Sequence, residues 1–547
     1  MYIRNLFKNI NAKEWQLIII MIFLVIVITS IPHIYGFLNT PDGFVYFGRQ
    51  SLNSADTPVY FSYLEQVNQG HWFFKDLFTS EYQAERFFDP FWLAVGLFGK
   101  VFSLSAASAF QIVRILLIPL LIIVSYLFIS FFINEKEKRK ICFILLLFSS
   151  GLGVLFSGWL APLYRSSYGY ANWPMDSWVP ESSTFFIFYH TPHLIASMIL
   201  ILLVLLFILI AFESDRKFYS ILAGLFALVL FQFHPYHVPT IFGILGVYLI
   251  TLCIKYKKIR WDMIKHLTIL SLISLPSITY YFLRLQYDWL AWQKAVQNIC
   301  LTPSFLMVII SYGLLFVFAL FGIISILKKN NDRLIFLIVW PITQFLIMYL
   351  PVSFQRRFTE GLHVAMTLLA SLGIFFIYEA FLKEKLKFRL IFVNKFLIFI
   401  FFIIFFCFSN IYILTRDIGY VYARSEVFYI SKYKLESIEW LAKNSRENEI
   451  IFSSWSNGNI IPAFSARTVY VGHGAETAYP FVKMEEAKWF FRDNKNIGEK
   501  YLFLKKNKIT YLFFGPEERA LGFNPENADY LKKVYQNSEV AIYKVMD

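Results

Sequence analysis

The sequence predicts an α-helical polytopic membrane protein of about eleven transmembrane helices, ending in a C-terminal soluble α/β domain. Three observations predict it. The 547 residues are 57% hydrophobic, 20% aromatic and only 16% charged, with a mean hydropathy of +0.54, a balance that a soluble chain of this length does not have. Long apolar runs alternate with short loops, and four of the connectors that fall on one side are plainly basic: Glu135–Lys140, Lys255–Arg260, Lys328–Arg333 and Lys383–Lys395. After about Arg416 the composition becomes that of a water-exposed domain.

The first run, Leu17 to Phe37, is long enough to span a bilayer and follows Arg4, Lys8 and Lys13, which puts the N-terminus in the cytoplasm. No small-x-small cleavage site follows, so the run reads as an uncleaved anchor. Further spans are expected near 105–133, 141–159, 191–212, 218–233, 238–254, 266–284, 303–327, 334–350, 362–382 and 396–415. Alternating sides from a cytoplasmic start makes each basic connector cytoplasmic, in agreement with the charge bias. The stretch 88–104, with Pro90, Gly96, Gly99 and Lys100, reads as a helix lying at the interface. A transmembrane module over 1–415, with outer loops 38–90 and 159–190, would then precede an extracytoplasmic α/β domain over 416–547.

Within the first outer loop, Ser54-Ala55-Asp56-Thr57-Pro58 reads as a helix start, with the helix running to about Gln69 and stopping at Gly70. In the tail, Leu435–Asn444 and Met484–Asp493 read as helices. Glu449–Ser453, Thr468–Gly472, Thr510–Gly515 and Val540–Lys544 read as strands. The net charge of +14 lies mostly in the cytoplasmic loops, where topology and anionic headgroups account for it, so nucleic acid is not an expected partner. Of Cys142, Cys253, Cys300 and Cys407 only Cys300 falls in an outer loop, which excludes a disulfide framework there.

The unusual polar residues gather on the outer side. Asp56 is either a plain helix cap or a carboxylate acting as general base near the membrane surface. Asp176 and Glu181 lie among Trp178, Pro180 and Phe185, a setting shared by sugar sites and interfacial belts. His190, His193, His234 and His237 end neighbouring spans; a divalent metal is one use for them and backbone hydrogen bonding another, and no residue is assigned as a metal ligand. Arg356-Arg357, with Glu360 and His363, is the sharpest signal. Paired arginines at an outer span end run against the charge bias, and their planar forks suit a phosphate better than a chance ion pair. Gly472-His473-Gly474-Ala475-Glu476-Thr477 follows a predicted strand as either a ligand loop or a structural turn.

With those residues in place, the chain resembles integral-membrane glycosyltransferases of the GT-C class, which include protein O-mannosyltransferases and aminoarabinose transferases. The resemblance rests on whole-chain topology and on three local stretches: Asp56-Thr57-Pro58-Val59-Tyr60 through Gly70-His71-Trp72, Asp176 to His193, and Gln355-Arg356-Arg357-Phe358. It implies a sugar passed from a polyprenyl-phosphate donor to a glycan, lipid or protein acceptor on the extracytoplasmic face, with inversion. It further implies Asp56 as base, Arg356 or Arg357 on the lipid phosphate, and Asp176 or Glu181 on sugar or acceptor. His193, His234, His237 and Glu360 join the expected substrate-binding set. The first loop lacks the Asp-x-Asp or Glu-x-Asp pair of some members, so the resemblance does not by itself imply a metal, and a divalent metal stays open as a cofactor. The alternative is a polytopic transporter or lipid flippase, which would want ionisable residues at mid-membrane and repeated halves; the spans carry almost none, Arg114 being the main exception.

Overall fold

The computed structural model describes residues 2–83, 87–167, 169–382 and 401–546. It is mostly helical and divides into two compact units, each assembled from separated stretches of chain. The first comprises Met1–Ile31, Val113–Tyr281 and Ile299–Arg416; the second comprises Pro32–Ile112, Phe282–Asn298 and Asp417–Asp547.

Six helices among the described residues are long and apolar enough to cross a bilayer: Ala12–Leu38, Ala106–Phe132, Pro192–Ser214, His237–Tyr256, Trp261–Tyr287 and Gln355–Ala380. With 20–27 residues each, they reach roughly 30–40 Å at the α-helical rise. Two further expected spans are helices of only 17 and 16 residues, Lys217–Phe233 and Asp332–Ile347.

The expected span 303–327 is not continuous. Phe305–Tyr312 and Leu314–Lys329 meet at 87°, because Gly313 takes φ 51° and ψ −126°, a conformation open to glycine and costly for other residues. The expected span 141–159 is also shorter than read. Its helix, Lys136–Phe148, stops where Ser150 N–H donates to Phe406 O (2.6 Å) and Leu152 N–H to Ile310 O (3.0 Å). These bonds leave the helical ladder for neighbouring segments, and the apolar count of the sequence gives no sign of them. Residues 396–400 of the last expected span and the basic stretch Lys383–Lys395 lie outside the described residues; beyond them a helix covers Phe408–Tyr422.

Several basic connector residues have acidic partners. Lys255 meets Asp332 (2.6 Å), Arg333 meets Glu213 (2.6 Å), and Arg139 meets the buried Glu14 (2.6 Å). Part of the charge ascribed to headgroups is thus matched inside the protein. In the first unit, the helices Leu314–Lys329, Asp332–Ile347 and Leu362–Ile377 frame an apolar groove of about 660 Å³, lined by Phe305, Phe316, Leu320, Phe345, Leu346 and Met366 among others.

The second unit is built on a five-stranded mixed sheet in the order Thr468–Val469, Ile450–Phe452, Ile509–Phe514, Ala541–Val545, Leu531–Gln536. The first three strands are parallel and the last two antiparallel. Alternate residues feed two separate cores, as strand geometry requires. Phe452, Leu512 and Tyr543 join Phe490, Phe491 and Leu504 on one face; Ile451, Phe513 and Ile542 join Ile438, Leu441 and Ile461 on the other. The helices Trp455–Ser465 and Ile497–Lys506 and the strand Leu531–Gln536 were not expected from the sequence. A short antiparallel pair, Phe44–Tyr46 with Tyr429–Ser431, joins the segment after the helix Ala12–Leu38 to the tail.

The helix Asp56–Asn68 belongs to this unit. Tyr60 stacks on Trp92 at 4.6 Å, on the helix Pro90–Val101, which Asp89 caps by accepting from Phe91 and Trp92 N–H (both 3.0 Å). That helix matches the one expected at 88–104. Asn459 Nδ2 donates to Ala55 O (3.2 Å), fixing the start of the Asp56 helix from the helix Trp455–Ser465.

Candidate functional site

Asp56 is the first residue of its helix and not its cap. Ala55 occupies the cap position and provides no side-chain hydrogen bond. The Asp56 carboxylate instead meets His473, whose Nε2 lies 3.1 Å from Oδ1, while 42% of the Asp56 side chain stays exposed.

His473 is placed by the loop after the Thr468–Val469 strand. Gly472 and Gly458 approach so closely that a Cβ on Gly472 would lie 2.3 Å from Gly458 O. Thr477 Oγ1 accepts from the N–H groups of Gly472 (3.1 Å) and His473 (3.0 Å) and donates to Phe78 O (2.7 Å). The ring's Nδ1 accepts from Ala475 and Glu476 N–H, each at 3.1 Å. A nitrogen that accepts carries no proton, so Nε2 holds it and donates to Asp56. Burial works against a charge on this ring and Asp56 works for it, the carboxylate prevailing and raising the histidine pKa. Charging the ring nonetheless costs both amide bonds at Nδ1, so the neutral tautomer is the one that fits this geometry.

Behind His473 lies a chain of charges. Glu476 pairs with Lys294, and Lys294 Nζ lies 2.8 Å from Asp76 Oδ2. Burial pushes the Asp76 carboxyl up despite Lys294. For Glu476 burial pushes the same way, but Lys294 and His473 outweigh it and hold the carboxyl below its ordinary value. With two acids on one lysine, the last proton to leave sits on Asp76. Gln297, on the helix Trp289–Gln297, donates to Thr477 O (2.6 Å) and Ala475 O (3.2 Å) and so holds the same loop.

In the first unit, Arg356 and Arg357 lie on the short turn Gln355–Thr359. Arg356 is stacked 4.3 Å over Trp178 and Arg357 4.8 Å over Tyr236, contacts that hold planar guanidinium groups flat. Arg356 N–H also donates to Cys300 O (2.9 Å). Glu181 lies within the field of both arginines. Burial raises its pKa, and the arginines oppose the rise without cancelling it. Glu360 is buried beside His237 Nε2 (3.0 Å) and His234 Nδ1 (3.6 Å), and Ser197 Oγ donates to its other oxygen. The His193 ring packs edge-on to His234 at 5.1 Å. The structure therefore brings together seven expected residues: Glu181, His193, His234, His237, Arg356, Arg357 and Glu360.

Among solved structures, ArnT from Cupriavidus metallidurans bound to undecaprenyl phosphate superposes with a TM-score of 0.55 at 9% identity, over 98% of each chain. The Archaeoglobus fulgidus oligosaccharyltransferase tethered to an acceptor peptide gives 0.53 at 13% identity, over 92% of this chain and 69% of that one. The mycobacterial arabinofuranosyltransferase AftD gives 0.53 at 10% identity, over 98% of this chain and 40% of that one. The fold is that of GT-C glycosyltransferases. No family model and no curated protein sequence matches the chain.

Two further expected residues make hydrogen bonds of their own. Asp176 is buried; its Oδ2 accepts from Ser409 Oγ (2.6 Å) and Gly153 N–H (3.0 Å), and burial raises its pKa to about 7. His363 is held between Ser149 Oγ (3.2 Å) and Thr184 Oγ1 (2.9 Å). Lys294, Asp76 and Gln297 were missed. Asp76 follows Trp72-Phe73-Phe74-Lys75 and the other two sit in Trp289–Gln297, and only the polar-aromatic mix of these segments hinted that one face meets something polar.

Proposed function

We propose that this chain is a glycosyltransferase that moves a hexosyl- or pentosyl-type sugar from a polyprenyl-phosphate donor to an acceptor on the extracytoplasmic face, with inversion. The observation that carries it is the arginine pair, stacked on Trp178 and Tyr236 at the end of the helices that frame the apolar groove. That fold is shared along its whole length with a protein bound to undecaprenyl phosphate. The isoprenoid tail takes the groove, and its phosphate takes Arg356 and Arg357, whose forks match two phosphate oxygens. Asp56 accepts the proton of the acceptor nucleophile, the nucleophile's electron pair forms the new bond to the anomeric carbon, and the old carbon–oxygen bond breaks. Its electrons leave on the phosphate, where the arginines stabilise the added charge. Asp176 or Glu181, together with His193, contacts sugar or acceptor hydroxyls. His234, His237 and Glu360 complete the phosphate side.

The proposed topology has eleven spans, a cytoplasmic N-terminus, a membrane module over 1–415 and an extracytoplasmic soluble α/β domain over 416–547. Acceptors of glycan, lipid or protein type all suit it. The test is transfer or hydrolysis of radiolabelled sugar from a panel of synthetic polyprenyl-phosphate sugars by purified protein in lipid. Turnover in wild type, lost in Asp56→Asn and in Arg356→Ala/Arg357→Ala with folding kept, is the expected result. Absence of turnover and of binding with every donor would end the proposal in favour of a transporter.

A further inference from the structure

The group formed by His234, His237 and Glu360 has a use beyond phosphate contact. The three side chains come from the end of the helix Lys217–Phe233, the start of His237–Tyr256 and the approach to Leu362–Ile377. All are buried, and each offers one ligand atom within 4.8 Å of the other two. Around Glu360 Oε2 the nitrogens stand at 3.0 Å and 3.6 Å. Two ligands on one tetrahedral zinc, at metal–nitrogen and metal–oxygen lengths of about 2.0–2.1 Å, are about 3.3–3.4 Å apart, so the two separations bracket that edge.

Two details favour a cation over a simple hydrogen-bonded cluster. At 3.6 Å His234 Nδ1 is too far from Glu360 for a hydrogen bond, and among the described residues that buried nitrogen has no hydrogen-bond partner. The carboxylate is also held from behind. Ser197 Oγ donates to Oε1, which turns Oε2 toward both rings, the arrangement that orients carboxylate ligands in metal sites.

We infer that His234, His237 and Glu360 form a three-ligand site for a zinc-class divalent cation, with the fourth position open to an exogenous oxygen. Two imidazoles and one carboxylate suit zinc or cobalt and are poor ligands for magnesium or calcium. Three protein ligands with one open position are the pattern of a site that acts on a bound molecule, while sites that only support the fold use four. Glu360 directly follows the turn that carries Arg356 and Arg357, so the three-ligand group lies in the neighbourhood of the arginines. A phosphate oxygen as fourth ligand rests on the proposed function; cation binding does not.

The test uses the full chain in detergent with Co²⁺ as the probe. One equivalent per chain should give the intense visible bands of four-coordinate Co²⁺, Zn²⁺ should abolish them, and X-ray absorption should count two imidazole nitrogens. His237→Gln and Glu360→Gln should lose the bands, and Ser197→Ala should bind about 10–100-fold more weakly. Wild type without the bands, or with fewer than two imidazoles on the ion, overturns the inference. So do bands that persist in folded Glu360→Gln. If that variant does not fold, the wild-type nitrogen count and Ser197→Ala decide. Sugar transfer without Co²⁺ binding would sink this site alone, and Co²⁺ binding without transfer would sink only the enzyme reading.

Discussion

If Asp56 is the base, His473 acts only through it, and a double-mutant cycle can expose that dependence. Removing the ring with His473→Ala deletes an N–H bond to a carboxylate, an interaction worth about 1.5–3 kcal/mol. Because 42% of the Asp56 side chain is exposed, solvent screens the pair and the lower half of that range applies. At about 1.36 kcal/mol per decade this becomes roughly a 13- to 45-fold loss of rate. Asp56→Asn removes the base itself and should cost about 10²–10⁴-fold. The double variant should then fall within about threefold of Asp56→Asn alone, since groups that act as one unit are not additive. His473→Gln, whose amide can still donate, should recover part of the loss. Thr477 Oγ1, which bonds to the backbone and not to the ring, should keep the loop folded although His473→Ala also leaves the Ala475 and Glu476 N–H groups without their acceptor. Single-turnover transfer of labelled sugar reads the chemical step directly. Equal losses from His473→Ala in the wild-type and Asp56→Asn backgrounds would refute the reasoning, because the histidine would then act on something else.

Lys294→Met strands Asp76 and Glu476 as buried acids without their cation. It should lower stability by about 3–5 kcal/mol in denaturant titrations at neutral pH, with much of the loss recovered near pH 4 as the acids protonate. Asp176 provides a pH test of opposite character. Its pKa is raised to about 7 by burial, so the folded protein holds a proton that the unfolded chain has lost above about pH 4. Stability should therefore fall as pH rises from about 4 to 7, by at most about 1.4 kcal/mol per unit from this group. Asp176→Asn should flatten that slope in melts run across the range, and an unchanged slope would assign it elsewhere, Asp89 being the next candidate with a pKa also raised to about 7.

The helical membrane character was legible because twenty or more apolar residues in a row have few other uses. The arginine pair was legible because Arg356 and Arg357 break the charge bias. What the pattern hid was geometry made at long range. Gly313 looks like any glycine in an apolar run, yet its backbone turns one expected span by 87°. Asp56 reads locally as a cap, and the residue that changes this reading, His473, stands 417 positions away. Asp176 and Glu181 look alike in sequence, five residues apart in one aromatic loop. Only packing separates them, Asp176 onto Ser409 and Gly153 and Glu181 into the field of the arginines.

That 417-residue separation has a consequence for how the molecule comes to life. At a synthesis rate of about 5–20 residues per second, roughly 20–80 s pass between the making of Asp56 and the making of His473. Over that interval the Phe44–Tyr46 strand waits for Tyr429–Ser431, then Ala55 for Asn459, and last the carboxylate for the imidazole. A protein cut short before residue 429 would therefore keep the Tyr60–Trp92 stack under the Asp56 helix but lack the strand pair, the Asn459 bond and the imidazole that complete its surroundings.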